Sequence, residues 1–237
     1  KTSSDLLLLT CSGAGGLESA VADLVSPGDE VVVALCGNVG ERFAALASAY
    51  GTDVVRLEFE WGQPIDPDDL ARVLEQHPKS KVVLLTHNET STGVTSNIHA
   101  VRKAIDKVGH PALLLVDTIS SIGSVDYRHE EWGVDVTVGG SQKGMRLPPG
   151  SSFHALSPKA LVAHQSSKMP KDFWDWEEML AANKSGFFPY TPATNLLYGL
   201  REALLMLQEE GLENVFARHH RHAEATRRAV RAWGLEI

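Results

Sequence analysis

Short apolar runs recur along the chain near 30–35, 53–57, 81–86, 112–117, 134–138 and 151–156, and a strand-like LLLLTC precedes them. Between the runs lie helical patterns, clearest at Gly15 to Val25, Gly40 to Tyr50, Pro67 to Gln76 and Asn97 to Val108. Each is bounded by Gly, Pro, Asp or Asn, residues that start and stop helices. Strand and helix alternate, which predicts an α/β fold with a mostly parallel sheet and helices on both faces. ALLLVD, at 112–117, shows no period-2 alternation and is expected to be a strand buried on both faces. After Pro158 the pattern turns into an irregular, Trp-rich stretch, Lys168 to Pro192. Two long helical segments follow, Asn195 to Glu210 and Leu212 to Trp233, and the closing WGLEI reads as the start of a strand. The expected organisation is a large sheet domain over 1–210, then a helix over 211–237 that leads toward a smaller C-terminal domain.

Chemistry concentrates at the carboxyl edge of this sheet, where ligands bind in open parallel folds. ALLLVD ends in Asp117, and VDVTVGG runs into Ser141-Gln142-Lys143. Gly139, Gly140 and Gly144 let the backbone turn and a ligand approach closely. A lysine amine buried in such a recess can attack carbonyls, and a carboxylate at a neighbouring strand end can hold a protonated pyridine nitrogen. Taken alone, one Asp and one Lys read more simply as a loop cap and a solvated cation. Ser12-Gly13-Ala14-Gly15-Gly16 follows LLLLTC and opens a helix, a place where backbone N–H groups bind phosphate. As a dinucleotide fingerprint it fails, because the third glycine would fall at Glu18. The turn Thr86 to Gly93 is rich in hydroxyls and precedes a helix capped by Asn97, while His87 and Glu89 show no partner and read as structural.

VDTISSIG followed by GVDVTVGGSQKGMRLPPG resembles the lysine region of the class V, fold-type I, pyridoxal 5'-phosphate (PLP) dependent aminotransferases. The likeness extends through TCSGAGGLESAVADLVSPGDEVVV, LLTHNETSTGV, FFPYTPATNLLYGLREAL and EEGLENVFARHHRHAEATRRAVRAWGLE, nearly the whole chain. Within the class it is most similar to the alanine/serine-glyoxylate aminotransferases. The resemblance implies a seven-stranded-type mixed sheet and makes 1–210 the PLP-binding large domain. It implies Lys143 as the Schiff-base lysine and Asp117 as the partner of the ring nitrogen. Ser12, Gly13 and Ala14 would hold the phosphate with Gln142 beside it, and Thr90, or failing it Ser91, would meet the phenolic oxygen. Ile119 would press on one ring face, and Thr191 would donate to the phosphate of the other subunit, which implies a homodimer. Two positions depart from the pattern. Val39 stands where many members stack an aromatic ring, a contact that adds roughly 0.5 to 1.5 kcal/mol beyond area burial. Phe188 stands where some have a tyrosine, a phosphate hydroxyl that Tyr190 would have to replace. The implied reaction moves an amino group from a small L-amino acid, serine or alanine, to a 2-oxo acid, glyoxylate or pyruvate.

Composition narrows the alternatives. The chain has 237 residues, 43% of them hydrophobic, enough for one large core. A net charge of -8 argues against general attraction to nucleic acid or anionic membrane. Only Cys11 and Cys36 are present, with no signal-like segment or long apolar run, which suggests a reducing, cytoplasmic setting. The chain begins with Lys1 and stops after WGLEI, so both ends are expected to belong to a longer protein. The ten histidines are scattered without metal-ligand spacing. Three other readings stay open: a truncated or degenerate PLP-fold binding or dimerisation module, a class V lyase, and a cysteine desulfurase, which would need a reactive cysteine on a mobile loop. An NAD-binding Rossmann domain is disfavoured by the failed fingerprint and by Lys143.

Overall fold

The computed structural model describes residues 2–237. Seven strands form one mixed sheet: β1 (Asp5–Leu9), β2 (Glu30–Leu35), β3 (Asp53–Glu58), β4 (Val82–Thr86), β5 (Leu113–Asp117), β6 (Val136–Gly140) and β7 (Ser152–Leu156). They lie in the order β1-β7-β6-β5-β4-β2-β3. Pairings from β6 through β5, β4 and β2 to β3 are parallel, whereas β7 runs antiparallel to both β6 and β1. This matches the expected architecture, and β4 and β5, buried at every position, are the centre of the sheet.

Two apolar layers cover the sheet, and the alternation of β5 divides them. Leu113 and Leu115 enter the layer filled by α1 (Gly13–Leu24) and α2 (Asn38–Ala49). Leu114 and Val116 enter the layer filled by α3 (Pro67–Gln76) and α4 (Ile98–Lys107). Caps set the helix starts: Asp66 accepts from the Asp68 and Asp69 N–H groups, and Asn97 from Ala100 N–H at 3.0 Å.

The stretch after Pro158 is more regular than its pattern suggests. α5 (Pro158–His164) starts at a Ser157 cap, and α6 (Trp176–Lys184) at an Asp175 cap inside the segment expected to be irregular. α6 is hard to read from the sequence because its buried face is short: only Trp176 and Met179 enter the core, with Leu180 packed against it. Trp176 is fully buried and donates its indole N–H to Ser19 Oγ at 3.0 Å, and its backbone N–H goes to Asp23. Asp23, His164 and Asp175 offer ligand-type atoms within 4.8 Å of one another, and the Lys171 ammonium, 3.8 Å from Asp23, supplies positive charge there. α7 (Thr194–Glu210) and α8 (Leu212–Ala232) follow as expected, broken at Gly211, whose φ of 79 suits glycine. WGLEI forms a turn and irregular chain in place of the expected strand, and its backbone joins none of the seven strands of the sheet among the described residues.

Candidate active site

A cavity of about 510 Å³ opens at the carboxyl edge of β4 and β5, beside the first turns of α1 and along α2 from Val39 to Tyr50. Ser12, Gly13, Ala14, Val39, Thr90, Asp117, Ile119, Gln142 and Lys143 all line it. Thr191 is the one expected site residue outside it: exposed, it lines a separate crevice with Leu8, Leu9 and Phe173. Tyr190 Oη lies 3.0 Å from Glu178 Oε2 and 3.1 Å from Asp172 O, and donates its one hydrogen to this pair of acceptors.

The two helix starts at the cavity differ. α1 begins at Gly13, two residues earlier than the pattern suggests, so the glycine-rich segment is the first helical turn itself. Ser12 at its N-cap makes no side-chain bond to that turn, which leaves N–H groups and the positive end of the helix dipole for an anion. Gly13 packs against Ile119 so closely that any Cβ there would strike the isoleucine. At α2 the equivalent groups are already satisfied. Glu89, fully buried, accepts from Val39 N–H at 3.1 Å, Gly40 N–H at 3.2 Å, and both Ser91 N–H and Ser91 Oγ. Gly37 is required beside it, since a Cβ would run into the Glu89 side chain. Glu89 is thus structural, as expected, and it fixes the turn that carries Val39. Removing four bonds to a charged acceptor is expected to destabilise Glu89→Ala by about 3 kcal/mol. A urea midpoint lowered at unchanged m-value checks this; an unchanged midpoint contradicts it.

Asp117 is 2% exposed at the end of β5. Burial pushes its carboxyl up to about 6, against the pull of the Ile119 N–H, which donates to Oδ1 at 2.8 Å, and the attraction of Lys143. Lys143 itself corrects an expectation: it is exposed, not buried. β6 ends at Gly140, and the chain turns through 141–145, which carries the lysine out over the cavity mouth. There Nζ donates to Thr90 Oγ1 at 3.0 Å. The turn is firmly seated. Gly144 lies against the Ile122 carbonyl with no room for a Cβ, and Leu147 N–H returns to Ser141 O. Arg146 adopts a left-handed φ of 59, and its guanidinium is held by Glu210 of α7 at 3.1 Å.

His87 is structural too. Its Nδ1 meets Ser121 Oγ at 2.9 Å, its ring packs on Tyr127 and Trp132, and burial lowers its pKa to about 4, so it is neutral. Burial, aided by the Glu18 and Glu89 carboxylates respectively, pushes the Cys11 thiol up to about 12 and Cys36 to about 11. Both remain thiols, which speaks against a desulfurase nucleophile. Glu18, Arg42 and Tyr50 also line the cavity and escaped the sequence reading. Helical spacing could have found the first two, since Glu18 lies four residues after Ala14 and Arg42 three after Val39.

The site combines an open helix start able to take an anion, a buried carboxyl on the floor, the aliphatic side chains of Val39 and Ile119, and an amine at the mouth, all on a mixed α/β sheet. The chain belongs to the class V aminotransferase family, whose model matches residues 2–235. It is 47% identical to a serine--glyoxylate aminotransferase of Methylorubrum extorquens, over 99% of this chain and 60% of that protein. It is 44% identical to an L-aspartate--glyoxylate aminotransferase of Paracoccus denitrificans, over 100% of this chain and 60% of the relative. Among solved structures it superimposes on an alanine--glyoxylate aminotransferase from Nostoc with a TM-score of 0.91 and 31% identity, covering 100% of this chain and 63% of that one. The chain thus spans about 60% of the length of the relatives it matches. Among the described residues no helix is long and apolar enough to cross a membrane.

Proposed function

We propose that this chain is the cofactor-binding part of a PLP-dependent transaminase that moves an amino group from a small L-amino acid, serine or alanine, to glyoxylate or pyruvate. The observation that carries this reading is the meeting of the Lys143 amine with Thr90 above the buried Asp117, in one cavity with the open α1 start. The residues fit the cofactor. Ser12 and the Gly13 and Ala14 N–H groups would hold its phosphate with Gln142 beside them, Val39 and Ile119 would cover the ring faces, and Thr90 would meet the phenolic oxygen. When bound, PLP supplies the electron sink that takes up the electron pair of the substrate Cα–H bond.

The rest is this chain's own work. Lys143 would hold the cofactor through Nζ, and its amine, when free, would serve as the base that takes and returns the substrate Cα proton. Asp117 would accept the ring N–H. Its burial makes a lone carboxylate unfavourable, and the same low-dielectric surroundings strengthen its pairing with a cationic N–H. Thr191, exposed and outside its own cavity, supports a homodimer in which it donates to the partner subunit's phosphate. In this reading α8 leads from the large domain at 1–210 toward a smaller domain, and the protein works in the cytoplasm.

The substrate assignment is tested on the full-length protein with PLP, glyoxylate and a panel of amino donors. Glycine should accumulate, fastest with serine or alanine. No glycine from any donor would overturn the assignment, and fastest turnover with aspartate would move the donor to the dicarboxylate class.

A further inference from the structure

Thr86 is the last residue of β4 and lines the cavity, yet it has no place in the site described above. It is 4% exposed, and its hydroxyl oxygen makes no hydrogen bond among the described residues. Nearby hydroxyls at the same sheet edge are engaged: Thr118 donates to Val138 O at 3.0 Å and Ser121 meets His87. A buried, unbonded hydroxyl is unfavourable, and valine would fill the same space in a strand without that loss. Among the described residues the oxygen is therefore free to meet a group that arrives with a ligand in the cavity it lines.

Register says where that group lies. Thr86 pairs directly with Asp117 across β4 and β5. Two residues earlier, Leu84 and Leu115 are opposite one another and both belong to the α1 and α2 layer. By the period-2 alternation of strands, Thr86 and Asp117 project to that same face, side by side on the cavity floor. Thr86 also begins the segment that carries Thr90 over the cavity. In the PLP reading the ring atom facing Asp117 would be the nitrogen. The next polar atom along the ring edge is the phenolic oxygen, which as a phenolate has lone pairs for more than one donor.

We infer that the Thr86 hydroxyl is a second hydrogen-bond donor, beside Thr90, to the phenolic oxygen of the cofactor, a role that rests on the PLP reading above. Thr86 is then a binding residue that reads the oxygen substituent of the ring, while Asp117 reads the nitrogen.

The test uses the full-length protein and its Thr86→Val and Thr86→Ser variants, freed of cofactor and titrated by absorbance with PLP and with its 3-deoxy analogue, which lacks the phenolic oxygen. Thr86→Val should weaken PLP roughly tenfold, the loss of one hydrogen bond to a charged acceptor. It should leave the 3-deoxy analogue unchanged and keep or raise the melting temperature of the cofactor-free protein, since an unbonded hydroxyl is removed. Thr86→Ser should keep PLP affinity near wild type. Equal PLP affinity in Thr86→Val, or equal weakening of both ligands, would overturn the assignment while leaving the PLP reading intact. Failure of the wild-type protein to bind PLP would overturn that reading, and the role of Thr86 with it.

Discussion

Replacing Lys143 by alanine is expected to abolish covalent retention of PLP and nearly all turnover while leaving the fold intact. The lysine is exposed at the cavity mouth, and its one hydrogen bond among the described residues is to Thr90, so little packing depends on it. Loss of the proton transfer alone should lower the rate by about 10²–10⁴-fold, the usual contribution of a placed acid-base group. Loss of the covalent link adds to that. The measurement is single-turnover transamination together with the melting temperature of the cofactor-free protein. An unchanged melting temperature with lost turnover supports the assignment; retained turnover refutes it.

Asp117 should give the second large effect, with opposite signs on stability and catalysis. In the cofactor-free protein burial holds its carboxyl at about 6, whereas an unfolded aspartate titrates near 4. The folded state therefore keeps a proton that the unfolded chain has released. Stability falls as pH rises from about 4 to about 6 and is flat above. The loss above pH 6 amounts to at most about 3 kcal/mol. Asp117→Asn removes this ionisation, so the cofactor-free variant should melt higher than wild type at pH 7.5 and at nearly the same temperature at pH 4. With PLP bound the order reverses, because the ring N–H loses its charged partner. Turnover should drop by roughly a hundredfold or more, as when a preorganised electrostatic partner is removed, while the link to Lys143 persists. A variant with wild-type turnover, or one less stable than wild type at pH 7.5 without cofactor, would count against this role.

Much of this was legible in the residues, and for identifiable reasons. β4 and β5 announce themselves as unbroken apolar runs because both their faces are covered, and the Asp66 and Asn97 caps mark helix starts within a residue. The site was legible wherever a strand end delivers a side chain directly, as with Asp117, or a helix start exposes its backbone, as with Gly13. What escaped depends on contacts distant in the chain. α6 is anchored by Trp176 against Ser19 and Asp23, partners that no local pattern can reveal. The exposure of Lys143 follows from a turn seated on Ile122 and closed by the Arg146–Glu210 pair, again remote in sequence. Glu89 looked idle because its partners are backbone N–H groups of another helix. The orphaned hydroxyl of Thr86 is a property of surroundings and not of sequence, since a threonine ending a strand is ordinary.

In the proposed PLP site Val39 would leave the outer ring face to an aliphatic side chain, so cofactor retention would rest on the covalent link, the α1 start and the floor residues. The most direct test of that arrangement is to incubate the full-length protein with PLP, dialyse, record the absorption spectrum, reduce with borohydride and map the labelled peptide. A band retained above about 400 nm, with the label on Lys143, is the predicted result for a protonated lysine–cofactor link. Loss of the band on dialysis, or a label on any other lysine, would contradict the cofactor site proposed for this chain.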